Sequence, residues 1–267
     1  MKRLIPLSLA LLMGADDCET PPPPTDNYCA GTVQGTVFNG LTEFVDNATG
    51  DSLNTIVGGE LSTDRRTTVH VLFGSSYCTG TAISPRVVIT AGHCGYAVEH
   101  DVRIEGKTYH SSKQTVYPDY LAFTEGTNPL GRQSDIQLLH MDEDIPGPYA
   151  RYGYIHQAMA PHCTSLKAQG WGQDEFPETG PQLRESDYRV KSVNGAKLIT
   201  EQATWGGICF GDSGGPLYVV ETSTGEELLY VVGAASTTAD KTCEHGSTHT
   251  NVSHFKGWID ANMTPPA

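Results

Sequence analysis

Three features of this 267-residue sequence predict an all-β fold. Its apolar runs are short and end at Gly, Pro, Asp or Ser, the residues that break strands and make turns. It is rich in Gly (29) and Tyr (12), as suits half-buried strands joined by tight turns. No stretch before residue 250 keeps the apolar period of a long helix.

In chain order, strands are expected at residues 68–73, 80–83, 87–90, 102–104 and 136–140. A second series is expected at 165–170, 188–192, 216–221 and 228–235, with Thr222-Ser223-Thr224-Gly225 joining the last two as a hairpin. Near the C-terminus Phe255, Trp258 and Ile259 lie at helical spacing behind Ser253, a residue type that caps helix N-termini. One terminal helix is therefore predicted, its apolar side packed on the second half of the fold.

Met1-Lys2-Arg3 and the apolar run from Leu4 to Met13 have the form of a secretory signal peptide, with cleavage near Gly14 or Ala15, so the protein is expected to be secreted. The run is too short to span a bilayer. Residues 1–15 are read as that signal, 16–55 as a linker and N-terminal segment in which Pro21 to Pro24 make an extended spacer, and 56–267 as the folded domain. The alternative is a lipid anchor on Cys18, against which Asp16 and Asp17 stand where such signals carry small residues. A net charge of −14 argues against a nucleic-acid partner, because neutralising phosphates needs a basic face. Seven cysteines in an exported chain predict disulfides and one odd thiol. No cofactor or metal is expected: His245 and His249 are four apart, but in a loop and a strand rather than on one helix face.

Gly211-Asp212-Ser213-Gly214-Gly215-Pro216 forms a tight turn offering a nucleophile and backbone donors. A serine hydroxyl needs a base, and the chain supplies one in Thr90-Ala91-Gly92-His93-Cys94, after the run Val87-Val88-Ile89. Asp135 opens a second run, Asp135-Ile136-Gln137-Leu138-Leu139. With Ile56-Val57-Gly58-Gly59-Glu60 and Gly170-Trp171-Gly172, these segments resemble, in identity and order, the chymotrypsin/trypsin family of serine endopeptidases. The resemblance covers roughly residues 56 to 260.

That resemblance implies two packed six-stranded antiparallel β-barrels and a C-terminal α-helix, with His93 and Asp135 from the first barrel meeting Ser213 from the second. It implies that Ser213 attacks a peptide carbonyl, that His93 takes and returns the proton, and that Asp135 orients the imidazole. The N–H groups of Gly211 and Ser213 are the implied oxyanion hole. Cleavage before Ile56 would release an ammonium to pair with buried Asp212, making residues 16–55 the prosegment of a zymogen. The family's pairings imply disulfides Cys78–Cys94 and Cys209–Cys243. For the remaining cysteines, a Cys29–Cys163 bridge tying the prosegment to the domain stands beside a Cys18–Cys29 loop with Cys163 free.

Two departures from the trypsin pattern concern specificity. The junction offers Thr55, not Lys or Arg, so activation is by the enzyme itself or by a protease of different preference. Gly207 stands where trypsin-type enzymes carry an aspartate, and with Ile208, Ser236, Thr238 and Ser247 it predicts an uncharged, narrowed pocket for a small or medium P1 residue. The expected partners are protein or peptide substrates. The rival readings are a catalytically silent binding protein with this fold and a secreted esterase with the same triad.

Overall fold

The computed structural model describes residues 56, 59–62, 67–96, 98–152, 165–172, 182–203, 207–223, 226–238, 243 and 246–264. The first part of the chain gives strands β1 (Glu60–Leu61), β2 (Thr68–Phe73), β3 (Ser76–Ser84), β4 (Val87–Thr90), β5 (His100–Ile104), β6 (Lys107–Ser111) and β7 (Lys113–Val116). A short helix α1 (Pro118–Thr124), a 3-10 turn (Pro129–Ser134) and β8 (Gln137–His140) follow. The second part gives β9 (Arg151–Tyr152), β10 (Ser165–Gly170), β11 (Arg184–Asn194), β12 (Lys197–Gln202), β13 (Pro216–Ser223), β14 (Glu226–Thr238), β15 (Ser247–Asn251) and helix α2 (Lys256–Ala261).

The sheets differ in how they close. In the second, β11-β10-β13-β14-β15-β12 returns to β11 through a β11–β12 ladder, a closed barrel of six antiparallel strands. The first runs β6-β5-β2-β3-β4-β8-β7, and among the described residues no ladder joins β6 to β7. It is a half-barrel where the sequence implied a second closed one. The reason lies in the chain path: β6 and β7, at opposite edges, are separated by Ser112 alone, so the covalent chain crosses the seam that a ladder would otherwise bridge.

Alternating side chains distribute the strands among three cores. Val88 of β4 and Leu139 of β8 point into the first sheet with Val69, Val71, Val102 and Tyr109. Their neighbours Val87, Ile89 and Leu138 point the other way and meet Tyr218, Val231, Ala234 and Val252 of the second sheet. Both faces of β4 are therefore buried, as its unbroken apolar run requires. The second barrel is filled by Leu166, Ala168, Tyr188, Val190, Leu217 and Val232.

Helix α2 forms near the expected place but packs differently. Its N-cap is Phe255, with no side-chain cap bond, rather than Ser253. Phe255 and Ile259 are buried in the core shared by both sheets, not on the second barrel alone. Tyr117 of the first half meets Phe255 and Trp258 edge to face, at centroid distances of 4.7 and 5.3 Å. The helix thus pins the halves together behind the cleft they form. Among the described residues no helix is long and apolar enough to cross a membrane.

Candidate active site

His93 sits in the loop leaving β4, and several bonds fix that loop. A disulfide joins Cys94 to Cys78 of β3, with Cα atoms 6.2 Å apart. Gln137 Nε2 donates to the carbonyls of Ala91 (2.9 Å) and Cys94 (3.0 Å), and His100 Nε2 donates to Cys94 O at 2.7 Å. Gly92 has no room for a side chain, since a Cβ there would fall 2.7 Å from the ring of Tyr120 on α1.

Asp135 follows the 3-10 turn and is 4% exposed. Its Oδ1 accepts from the His93 backbone N–H at 2.9 Å, and its Oδ2 lies 2.7 Å from His93 Nδ1. A carboxylate accepts, so Nδ1 carries the proton and the neutral imidazole keeps Nε2 as an acceptor. Burial disfavours the charged imidazole, but the hydrogen bond and the charge of Asp135 outweigh it and raise the His93 pKa above 6.5. The second sheet holds Asp135 as well: Ser236 Oγ donates to Oδ2 at 2.7 Å and Thr250 Oγ1 to its backbone carbonyl at 2.8 Å.

Ser213 stands in a turn whose backbone needs glycine on both sides, with Gly211 at φ +92° and Gly214 at φ +77°. The turn is bonded from within by Gly215 N to Asp212 O (2.8 Å) and from outside by Gly214 N to Ala235 O (2.7 Å). Toward the described residues, the N–H groups of Gly211 and Ser213 donate no hydrogen bond. Two backbone donors beside a serine hydroxyl are what an oxygen developing negative charge requires. Ser213 and His93 line one cavity of about 590 Å³, without a bond between their side chains. Bonds between a hydroxyl and its base commonly tighten only when substrate binds.

Asp212 explains a motif that the sequence left without a role. Its Oδ1 accepts from Gly172 N–H (2.8 Å) and its Oδ2 from Cys209 N–H (2.9 Å). A Cβ on Gly170 would lie 1.9 Å from Oδ1, and one on Gly172 2.6 Å away, so Gly170-Trp171-Gly172 is the bed in which this carboxylate lies. Among the described residues it has no cationic partner. Burial, opposed by the two N–H bonds, pushes its pKa up to about 7. Ile56 is buried at 1% exposure; Val57 and the junction before Ile56 lie outside the described residues.

The predicted pocket residues divide. Ile208, Ser236 and Thr238 line the cavity with Gly211, Ser213 and His93, and among the described residues no carboxylate, lysine or arginine lines it. Gly207 and Ser247 are not in that lining. A Cβ on Gly207 would fall 1.5 Å from Cys243 O and 2.4 Å from Gln202 Nε2, so backbone and a glutamine amide already fill the space. Ser247 is buried and bonds to His249 Nε2 (2.9 Å) and Thr200 Oγ1 (3.1 Å). Tyr188 joins the same cluster, its hydroxyl accepting from Ile208 N–H at 2.7 Å. Neither Tyr188 nor Gln202 was identifiable from sequence, because nothing local marks a strand residue as lying under a pocket.

The disulfides Cys78–Cys94 and Cys209–Cys243 are both formed. Cys18, Cys29 and Cys163 lie outside the described residues, as does His245. His249 is wholly buried, and burial holds its pKa down to about 3, so it is a neutral core residue.

A closed barrel and a half-barrel, with His93 and Ser213 on one cavity, give the chain a trypsin-like architecture. The trypsin family model matches residues 56–259: the chain belongs to that family and is a serine endopeptidase. It is similar to Trypsin theta of Drosophila melanogaster, at 28% identity over 250 residues, covering 84% of this chain and 87% of the relative. Similarity extends to Hypodermin-B of Hypoderma lineatum (24% over 208 residues; 71% and 78% of the two chains). It extends also to the Vitellin-degrading protease of Bombyx mori (27% over 240 residues; 78% and 86%).

Proposed function

We propose that this enzyme is a secreted endopeptidase, made as a zymogen, in which Ser213 is the nucleophile, His93 the general base and then acid, and Asp135 the group that orients His93. The carrying observation is the Asp135 carboxylate bridging His93 Nδ1 and Ser236 Oγ at 2.7 Å each, while Ser213 shares the cavity of His93. As Ser213 Oγ attacks a peptide carbonyl, its proton passes to His93 Nε2, and the imidazolium is stabilised by Asp135. The N–H groups of Gly211 and Ser213 take the oxyanion. His93 then protonates the leaving amine, and water repeats the sequence on the acyl-enzyme.

Cleavage between Thr55 and Ile56 would supply the cation that Asp212 lacks among the described residues, and the cost of a lone buried carboxylate supports that role. A cavity in which, among the described residues, no carboxylate, lysine or arginine lines the wall supports a preference for small or medium uncharged P1 side chains. Thr55 is such a residue, and it supports self-activation over a separate trypsin-like activator. Substituting Ser213→Ala, His93→Ala or Asp135→Asn is expected to remove nearly all peptide hydrolysis from folded, processed protein. The Ser213→Ala/His93→Ala double variant should be little worse than either alone, because the groups act as a unit. Near-wild-type amide hydrolysis by Ser213→Ala would refute the assignment. Ester cleavage without amide cleavage would favour the esterase reading.

A further inference from the structure

Thr79 of β3 is fully buried, and each of its polar atoms is engaged around the nucleophile turn. Its N–H donates to Ser213 O at 2.8 Å and its carbonyl accepts from Thr90 Oγ1 at 2.8 Å. Its hydroxyl accepts from Trp171 N–H at 2.9 Å and donates to Gly211 O at 2.9 Å. One side chain thus ties the first sheet to segments 92 and 132 residues further along the chain. The two ends of this bridge are functionally adjacent. Gly211 carries one of the two backbone donors left open beside Ser213, and Trp171 precedes Gly172, whose N–H holds Asp212. Tyr77 closes the other side of Gly211, its ring 2.4 Å from where a Cβ would stand.

We infer that Thr79 is a positioning residue, whose hydroxyl fixes the Gly211 carbonyl so that the Gly211 N–H stays aimed at the developing oxyanion. The bond holds the Gly211–Asp212 peptide plane, and the Gly211 N–H, in the preceding plane, is tied to it through the Gly211 φ of +92°, so a fixed carbonyl gives the donor a fixed base from which to point. Without the hydroxyl, the Trp171 N–H and the Gly211 carbonyl lose their partner together, and the turn relaxes to recover one. The inference rests on the oxyanion role proposed for Gly211, and it makes a threonine that touches no substrate part of the machinery for turnover.

Thr79→Val keeps the side-chain shape and both backbone bonds but removes the hydroxyl. In processed enzyme it is expected to lower kcat on a peptide amide by about 10- to 100-fold, less than outright loss of an oxyanion donor. KM should stay within about threefold, because the donor is used in the transition state rather than in the ground state. Binding of a peptide aldehyde, which forms a tetrahedral adduct, should weaken by the factor by which kcat/KM falls. Thr79→Ser should restore kcat to within about threefold, since it returns the hydroxyl. An unchanged kcat in Thr79→Val, a loss confined to KM, or failure of Thr79→Ser to rescue would each overturn the inference. Amide hydrogen exchange at Trp171 in the Ser213→Ala background gives a readout independent of activity and of processing. Thr79→Val, or Thr79→Ala should the valine variant not fold, is expected to speed that exchange about tenfold or more while Thr79→Ser does not. Unchanged exchange refutes the clamp, whereas an inactive wild-type enzyme with a sensitive Trp171 amide refutes the catalytic reading of Ser213.

Discussion

Replacing Asp212 by Asn is predicted to have opposite effects on stability before and after cleavage at Ile56. In the unprocessed chain this carboxyl is buried, held by two N–H donors and pushed up from 3.8 to about 7. Because its folded pKa is raised, the folded state keeps a proton that the unfolded state has released, so stability falls as pH rises from about 4 to about 7. At about 1.4 kcal/mol per pH step, the charge costs the unprocessed fold about 4 kcal/mol by pH 7.5. Asn removes that charge, but its amide –NH₂ must face one of the two N–H donors, which returns about 1–3 kcal/mol of the gain. The net expectation is stabilisation of the unprocessed chain by about 1–3 kcal/mol at pH 7.5, turning into destabilisation by about 1–3 kcal/mol near pH 4, where the charge no longer costs anything and only the mismatched amide remains. In protein processed as proposed, the Ile56 ammonium would offset the buried charge, and removing one partner of such a pair would cost about 3–5 kcal/mol. Urea unfolding of both forms at pH 7.5, in a Ser213→Ala background that prevents self-digestion and with the processed form cut in trans by active enzyme, measures the two signs. The same sign in both forms, or no pH dependence in the unprocessed one, would refute the ion-pair reasoning.

Three further outcomes follow from the geometry. Gly207→Asp should not create Lys or Arg specificity, because its Cβ would lie 1.5 Å from Cys243 O; a large loss of stability, about 3 kcal/mol or more, is expected by urea unfolding, and a stable variant cleaving after Arg would contradict it. His70 and His249 are held down to about 4 and about 3, first by burial and, for His70, also by Arg103. With folded pKa values lowered, the unfolded chain binds more protons below pH 6.5, so processed protein should lose about 4 kcal/mol between pH 7 and pH 5 from these two groups, and an equally stable protein at pH 5 would refute it. Because Asp135 raises the His93 pKa and the base must be neutral, kcat/KM should climb with pH through a midpoint above 6.5. Asp135→Asn should lower that midpoint together with the rate, and an unmoved midpoint would separate Asp135 from the base.

The sequence exposed the strands that carry His93, Asp135 and Ser213 because β4, β8 and β13 are apolar enough to be seen as runs. Strand β6 was invisible: Lys107-Thr108-Tyr109-His110-Ser111 buries only Tyr109 and Ser111, so no apolar alternation marks it. Helix α1 is one short segment begun by Pro118, below the length at which a helical period registers. The two disulfides were legible through the family resemblance, whereas the bed that Gly170 and Gly172 make for Asp212 was not, because its contact spans 40 residues of chain. The pocket was misjudged where depth mattered. Gly207 is adjacent in sequence to the lining residue Ile208, and Ser247 pairs with the lining residue Thr238 across β14 and β15, yet Gln202, Tyr188 and Cys243 O, brought in from elsewhere in the chain, fill the space beneath. Thr79 was missed for the same reason, since its partners are 92 and 132 residues away.

Active-site labelling tests the central claim most directly. Processed wild-type protein treated with a fluorophosphonate should gain one phosphonyl group, located by peptide mass mapping on Ser213, with peptide hydrolysis lost in proportion. His93→Ala should label far more slowly, since the base that activates the hydroxyl is gone. Label on another residue, or peptide hydrolysis that persists with Ser213 fully modified, would contradict the account.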